Sequence, residues 1–150
     1  QKVNLKIKFR ESFRPFAPTV LEDKLGECFD IKVPSPYMLL VAPVKRTDVP
    51  AITHVDNSAR IQSVSREQNP RYYDIIKAFY DKTGCPVIIN TSFNVRGEPI
   101  VMSPRDAFNT FLNTFMDYLV LGDFLISKKD NEHLVDKEKM TEYLGKFKLD

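Results

Sequence analysis

Three stretches of this chain carry side chains whose types and spacing could do chemistry. The first is Asn90-Thr91-Ser92-Phe93-Asn94-Val95-Arg96-Gly97-Glu98-Pro99. Read as extended chain, a period of two puts Asn90, Ser92, Asn94 and Arg96 on one face and Thr91, Phe93 and Val95 on the other. This polar row follows directly on the apolar Val87-Ile88-Ile89. A buried strand that turns polar at its carboxyl end is where open α/β sheets place ligands. A hydroxyl, two amides and a guanidinium suit phosphate oxygens. The bland alternative is a solvated strand edge with a turn at Gly97.

The second stretch, Lys8-Phe9-Arg10-Glu11-Ser12-Phe13-Arg14-Pro15-Phe16-Ala17-Pro18, threads three cations through three phenylalanines. Burial of the aromatics would draw the stems of Lys8, Arg10 and Arg14 inward, and a charge removed from water requires a partner. Glu11 can serve one of them. The surplus asks for an anion, and the guanidinium fork matches phosphate in a bidentate manner. Surface cations lying over aromatic faces are the alternative. In the third stretch, Thr53-His54-Val55-Asp56-Asn57-Ser58-Ala59-Arg60, His54 could shuttle a proton or bind a metal. One histidine and one aspartate are thin for a metal, and His133 has no partner motif. No metal site is therefore expected, and a hydrogen-bonded, structural His54 is the preferred reading.

Familiar devices are missing from the sequence. It contains no G-x-x-x-x-G-K-[ST] run, and its five glycines make no dinucleotide fingerprint. It has no G-x-S-x-G elbow and no cysteine set beside a histidine as a nucleophile. Any ATP would have to be held by a route other than a P-loop.

The elements that must position these residues are legible in outline. Val3, Leu5, Ile7 and Phe9 fit a strand, but Val3 and Ile7 would also share a helix face, and the segment is too short to decide. Pro15 and Pro18 force an extended passage through Arg14–Leu21. A short helix is expected over Glu22–Cys28, and buried strands over Tyr37–Val44 and Pro86–Ile89. Ser58–Ser65 alternates as a strand. Asn69-Pro70 opens a helix through Lys82 with Tyr72, Ile75, Ile76 and Phe79 as its apolar stripe, stopped by Gly84. Ser103-Pro104 opens another, its apolar side running from Ala107 to Phe115. Asp117–Ser127 reads as a last strand and Lys137–Lys148 as a charged terminal helix. Strands interleaved with helices argue for an α/β fold with a sheet covered on both faces.

The bulk numbers agree with one ordinary domain. The chain has 150 residues, 43% of them hydrophobic and 28% charged, which excludes disordered and collagen-like classes. Lys and Arg number 22 against 20 Asp and Glu, an excess too slight for a nucleic-acid footprint or a membrane patch. No apolar run is long enough to cross a bilayer. The opening is not a signal peptide, and the lack of a start methionine fits an excised piece. Cys28 and Cys85 are expected to be reduced, partly buried thiols of a cytoplasmic protein.

Several segments, in order, give the sequence a family likeness. They are Lys8-x-Arg10-Glu11-x-Phe13-Arg14-Pro15-Phe16-Ala17-Pro18, Ser35-Pro36-Tyr37-Met38-Leu39, Thr53-His54-Val55-Asp56-x-x-Ala59-Arg60, Asn90-Thr91-Ser92-Phe93-Asn94-x-Arg96-Gly97-Glu98-Pro99-Ile100 and Asp117-x-Leu119-Val120-x-Gly122. Together they resemble the carboxyl-terminal domain of the nodulation-type O-carbamoyltransferases, a family that also modifies aminoglycoside and cephem antibiotics. The resemblance implies a YrdC-like α/β fold, a twisted mixed sheet flanked by helices, over residues 1–128, with residues 129–150 as a charged helical tail.

It also implies that the domain combines carbamoyl phosphate with ATP, accompanied by Mg2+, into carbamoyl adenylate. A separate amino-terminal, actin-like domain carrying iron or another metal would then move the carbamoyl group to a substrate hydroxyl. On matching positions, Lys8 and Arg10 resemble the family's Lys-x-Arg pair, Arg14 and Arg60 its further phosphate-binding arginines, and Ser92 with Asn94 its Ser-x-Asn element. Lys8, Arg14, Arg60 and Ser92 are thus the expected catalytic group, with Arg10, His54, Asn90, Asn94 and Arg96 binding substrate. The partner domain and the glycine- and arginine-rich segment that precedes Lys8 in the family are missing, so an incomplete site is expected. Two rival readings stand beside this one. One is an RNA-binding module of the same fold, which the near-neutral charge disfavours; the other is a structural half that docks to the metal-bearing domain.

Overall fold

In this computed structural model residues 1–145 are described, except for the side chain of Leu144. The chain forms two compact units, one of Pro15–Thr91 and one that joins Gln1–Arg14 to the chain from Ser92 onward. Each is mixed in secondary structure. No helix among the described residues is long and apolar enough to cross a membrane.

The Pro15–Thr91 unit is built on a four-stranded mixed sheet. Its elements are β1 (Ala17–Leu21), α1 (Leu25–Cys28), β2 (Leu40–Pro43), β3 (Ser58–Val64), α2 (Pro70–Thr83) and β4 (Val87–Asn90), with the strands in the order β2-β3-β1-β4. Strand β1 runs parallel to β3, Thr19 opposite Gln62, and antiparallel to β4, Thr19 opposite Ile88. Pro18 and Val20 point to one face and Thr19 and Leu21 to the other, and all four are buried, as a central strand requires.

Helix α2 begins where the sequence says it should. The Asn69 side chain accepts the backbone N–H of Tyr72 at 3.2 Å, and Pro70 fills the first turn. Gly84 ends the helix at φ +71°, its N–H bonded to the Tyr80 carbonyl. The buried face differs from the expected stripe. Ile76 meets Leu21 and Val64, flanked by Tyr72, Tyr73 and Tyr80, whereas Ile75 and Phe79 face outward. Tyrosines can cover a sheet with their rings and still satisfy their hydroxyls. Tyr72 bonds Thr19 Oγ1 at 3.2 Å and Tyr73 bonds Asp23 at 3.1 Å.

Both strands expected to be wholly buried are edge strands instead. Tyr37, Leu39 and Val41 are largely exposed around β2, and in β4 Val87 is buried while Ile89 is 40% exposed. A continuous apolar run marks a strand but does not say whether it has a neighbour on each side.

In the second unit the opening residues settle as a π-helix, Asn4–Lys8, rather than a strand. Phe9 closes it in the left-handed region at φ +49°, which turns the chain sharply before Arg10. Helix α3 (Pro104–Leu112) starts with a full capping box, Ser103 and Asp106 each bonding the other's backbone N–H. It ends before Phe115, which lies exposed rather than on the expected apolar side.

The expected last strand is two strands, β5 (Tyr118–Leu121) and β6 (Phe124–Ser127), paired antiparallel. A two-residue turn with Gly122 at φ +60° reverses the chain between them, the role glycine takes at the first position of a tight hairpin. Leu119 packs on Ala107 and Phe111 to make this unit's core. The Lys128 ammonium donates to the carbonyls of Phe111, Leu112 and Thr114 at the carboxyl end of α3, where a cation opposes the helix dipole. Helix α4 (Lys137–Gly145) completes the described chain. Lys146–Lys148 of the expected terminal helix lie outside the described residues.

Candidate functional site

The unit containing both chain ends gathers Lys8, Ser92 and Asn94. The π-helix carries Lys8 inward until only 5% of it is exposed. Its ammonium donates to the Ser92 carbonyl at 2.8 Å and hydroxyl at 3.2 Å, and to the Asn94 carbonyl at 2.6 Å and Oδ1 at 2.7 Å. All four acceptors are neutral. The Ser92 hydroxyl donates to Asn94 Oδ1 at 2.6 Å, and Asn94 Nδ2 donates to the Glu98 carbonyl at 2.7 Å. Burial, and then the positive charge of Arg10, push the Lys8 amine down to about 8. A cation so placed is solvated by dipoles alone.

The segment beyond Asn90 is not extended as the alternating pattern implied. The chain leaves β4 at Asn90, bends through Phe93 and Asn94, and turns at Gly97 with φ +79°. Ser92 and Asn94 come together through their mutual hydrogen bond and their shared lysine, not through a strand face. Val95 is buried between them and the turn.

A second group in the same unit surrounds Glu11. The Arg14 guanidinium lies 3.6 Å from Glu11 Oε2, a buried atom with no closer hydrogen-bond partner among the described residues. Its own backbone N–H first, and then the charges of Arg14 and Arg96, hold the Glu11 carboxyl below its usual range. Arg10 lies close enough to feel Arg14 and Glu11, and burial lowers its guanidinium. The Arg96 backbone N–H bonds the Lys8 carbonyl at 3.3 Å. Of the three phenylalanines in this stretch, Phe16 is buried, Phe9 is half-buried and Phe13 is exposed, so the aromatics do not draw all three cations inward.

What organises Arg10 and Arg14 is Asn4, which sequence reasoning missed. Asn4 is almost wholly buried; its Oδ1 accepts from Arg10 Nε at 2.8 Å, and its Nδ2 donates to the Arg14 carbonyl at 2.7 Å and the Ser12 carbonyl at 3.3 Å. A polar residue in an undecided apolar segment gives no sign that it will face inward.

The remaining expected site residues, His54, Arg60 and Asn90, lie in the sheet unit. His54 Nδ1 is 3.0 Å from the Ser58 hydroxyl, which donates to Asp56 Oδ1 at 2.7 Å. The Ser58 hydroxyl and N–H hold the Asp56 carboxyl below its usual range. These bonds close a turn, with Asn57 at φ +61°, and fix the His54 ring in it. Asn90 Nδ2 donates to Gln62 Oε1 at 2.6 Å, and Thr19 Oγ1 donates to the same oxygen at 2.9 Å. Gln62 was also missed, although the alternation of β3 places it on the same face as the exposed Arg60.

The side chains offer cationic and amide donors rather than a nucleophile. Cys28 is fully buried and its thiol is pushed up to about 11, chiefly by burial. Among the described residues no three His, Cys, Asp or Glu side chains are grouped as a metal site requires.

Known proteins share this arrangement of sequence. The chain is 48% identical to an uncharacterized protein of Synechocystis over 99% of its own length and 27% of that protein's, so the likeness runs into the charged tail. It is 46% identical to the nodulation protein NolO of Bradyrhizobium diazoefficiens over 85% of this chain and 24% of that protein. To nodulation protein U of Sinorhizobium fredii it is 42% identical over 61% of this chain. The chain thus spans about a quarter of the length of the first two relatives. The family model described as "Carbamoyltransferase C-terminus" matches residues 1–128. The chain belongs to the carbamoyltransferase C-terminal domain family.

Proposed function

We propose that this domain activates a carbamoyl group for an O-carbamoyltransferase by joining it to adenylate. Carbamoyl phosphate, attacked by water, releases inorganic phosphate and leaves carbamate. A carbamate oxygen then attacks the α-phosphorus of ATP, the bond to the β-phosphate breaks, and pyrophosphate departs with Mg2+. An acceptor hydroxyl, held by another part of the longer protein, attacks the carbonyl carbon of the carbamoyl adenylate, gives up its proton to solvent, and AMP leaves. Of these three steps the second brings two anions together, so the protein's main contribution is fixed positive charge and oriented donors.

In this reading Lys8, Arg10, Arg14 and Arg96 face the phosphates. Ser92 and Asn94 orient the carbamoyl group and a phosphoryl oxygen. The family likeness adds Arg60, Asn90 and His54 as further candidate binding residues. The observation that carries the reading is the buried Lys8 ammonium, whose hydrogen bonds all go to neutral oxygens of the Ser-x-Asn loop. A buried cation without a carboxylate on it is suited to receive an anion.

The test is exchange of labelled pyrophosphate into ATP by the full-length protein. Exchange should require carbamoyl phosphate and should fall at least tenfold in Ser92→Ala, on the scale of one charge-assisted hydrogen bond. Carbamoyl transfer without any such exchange would show that no adenylate forms.

A further inference from the structure

The terminal helix α4 lies beyond the residues that the family model matches, yet one of its side chains reaches the Ser-x-Asn loop. The Tyr143 hydroxyl donates to Glu98 Oε2 at 2.6 Å. Glu98 is the residue whose carbonyl receives Asn94 Nδ2 at 2.7 Å, and Asn94 in turn holds the Lys8 ammonium. Glu98 is therefore gripped at both ends, its backbone by the loop and its carboxylate by the helix.

Other bonds of the loop run within it and to the residues around Lys8. Glu98 N–H bonds the Val95 carbonyl at 3.2 Å, Val101 N–H bonds the Phe93 carbonyl at 3.0 Å, and Arg96 N–H bonds the Lys8 carbonyl. Loops are held less tightly than the elements they join, and an ammonium that shares three N–H donors among four acceptors depends on the loop keeping them close. The contact with Tyr143 also sits beside a hollow of about 320 Å³ lined by Glu98, Met102, Asp106 and Thr110. Without the helix this flank of the loop would open further to water.

We propose that Tyr143 is a positioning residue: through Glu98 it braces the loop that places Ser92 and Asn94 on Lys8, making α4 part of the site's machinery. Burial of the phenol and its bond to Glu98 raise the Tyr143 hydroxyl, so it stays a donor at any pH at which the protein works. The proposal rests on the adenylate-forming reading for its effect on turnover, but not for its effect on the loop.

The experiment compares Tyr143→Phe, Glu98→Ala and Glu98→Gln with wild type in the full-length protein. Tyr143→Phe removes one oxygen and keeps the ring, so folding should survive. Two quantities are read: the titration of the Lys8 amine by NMR with labelled lysine, and carbamoyl-phosphate-dependent pyrophosphate exchange. Arg10 is the charged neighbour that helps to depress Lys8 and is common to all the variants. In Tyr143→Phe and Glu98→Ala the Lys8 midpoint should move up from about 8 towards 10.5 as water enters the loop. Exchange should fall roughly tenfold, chiefly in kcat, for the loss of a bond to a charged acceptor. Glu98→Gln, which keeps an acceptor for the phenol, should stay close to wild type in both.

An unchanged Lys8 midpoint in Tyr143→Phe would overturn the brace, whatever the exchange rate does. Loss of both properties in Glu98→Gln would overturn it too, because the carboxylate and not the hydrogen bond would then be what counts. Absence of exchange in wild type, with the Lys8 midpoint moving as expected, would instead remove the adenylate reading and leave the brace standing.

Discussion

Lys8 should make this chain gain stability as the solution becomes alkaline. In the folded state its amine titrates near 8, against 10.5 for an ordinary lysine side chain. Below pH 8 the folded protein carries the full cost of a buried charge. Between pH 8 and 10.5 the unfolded chain still binds a proton that the folded chain has released, so unfolding takes up protons and becomes harder as pH rises. At about 1.4 kcal/mol per pH unit, the lowering corresponds to somewhat over 3 kcal/mol. The oxygens around the ammonium replace part of its hydration, so about 2 to 3 kcal/mol is the working expectation.

The assay is urea unfolding at pH 7, 8, 9 and 10 for wild type and Lys8→Met, taking the difference at each pH so that other titrating groups cancel. At pH 7 the variant loses the ammonium's hydrogen bonds and also its desolvation cost. From there to pH 10 the difference should drift in favour of wild type by about 2 kcal/mol. A difference that stays flat across the series would mean that Lys8 is as well solvated in the fold as in water, and the reasoning about its burial would be wrong.

Two further outcomes test one anchor in each unit. Asn4→Ala should destabilise the chain by about 2 to 4 kcal/mol in urea unfolding, because a buried amide that satisfies two carbonyls and an arginine would be lost together. Gly84→Ala should cost about 1 to 2 kcal/mol, and Gly84→Asn less, since the position requires positive φ while no atom stands within 4 Å of an added Cβ.

The fold was legible wherever a local rule settled the matter. Asn69, Pro70 and Gly84 mark the ends of α2, and Ser103 with Asp106 marks the start of α3, because capping is chemistry between residues three or four apart. What was not legible depended on partners distant in sequence. Nothing in Leu39-Leu40-Val41 says that β2 has a neighbour on one side only. The rotation of α2 that half-buries three tyrosines depends on Thr19 and Asp23 waiting for two of their hydroxyls.

The site divides in the same way. Lys8, Ser92 and Asn94 could be named from type and spacing, and their meeting is a fact of the structure. The reason given for it, a strand face, was mistaken: the polar row is a turn folded around an ammonium. Asn4 was invisible because its three bonds form only once the chain has turned back on it at Phe9, and Tyr143 because it acts through a contact 45 residues away.

The unit that holds Lys8 joins two stretches separated by the whole Pro15–Thr91 sheet, and this has a consequence for synthesis. The partners of the Lys8 ammonium lie 84 and 86 residues downstream. On a ribosome adding roughly 5 to 20 residues each second, the lysine would emerge some 4 to 17 seconds before its partners are made. All four strands of the Pro15–Thr91 sheet come out within that interval. The sheet can close while Gln1–Arg14 still wait for the residues that follow Thr91, so a pause in translation at that point would prolong the exposure of this segment to proteases and chaperones without delaying the sheet.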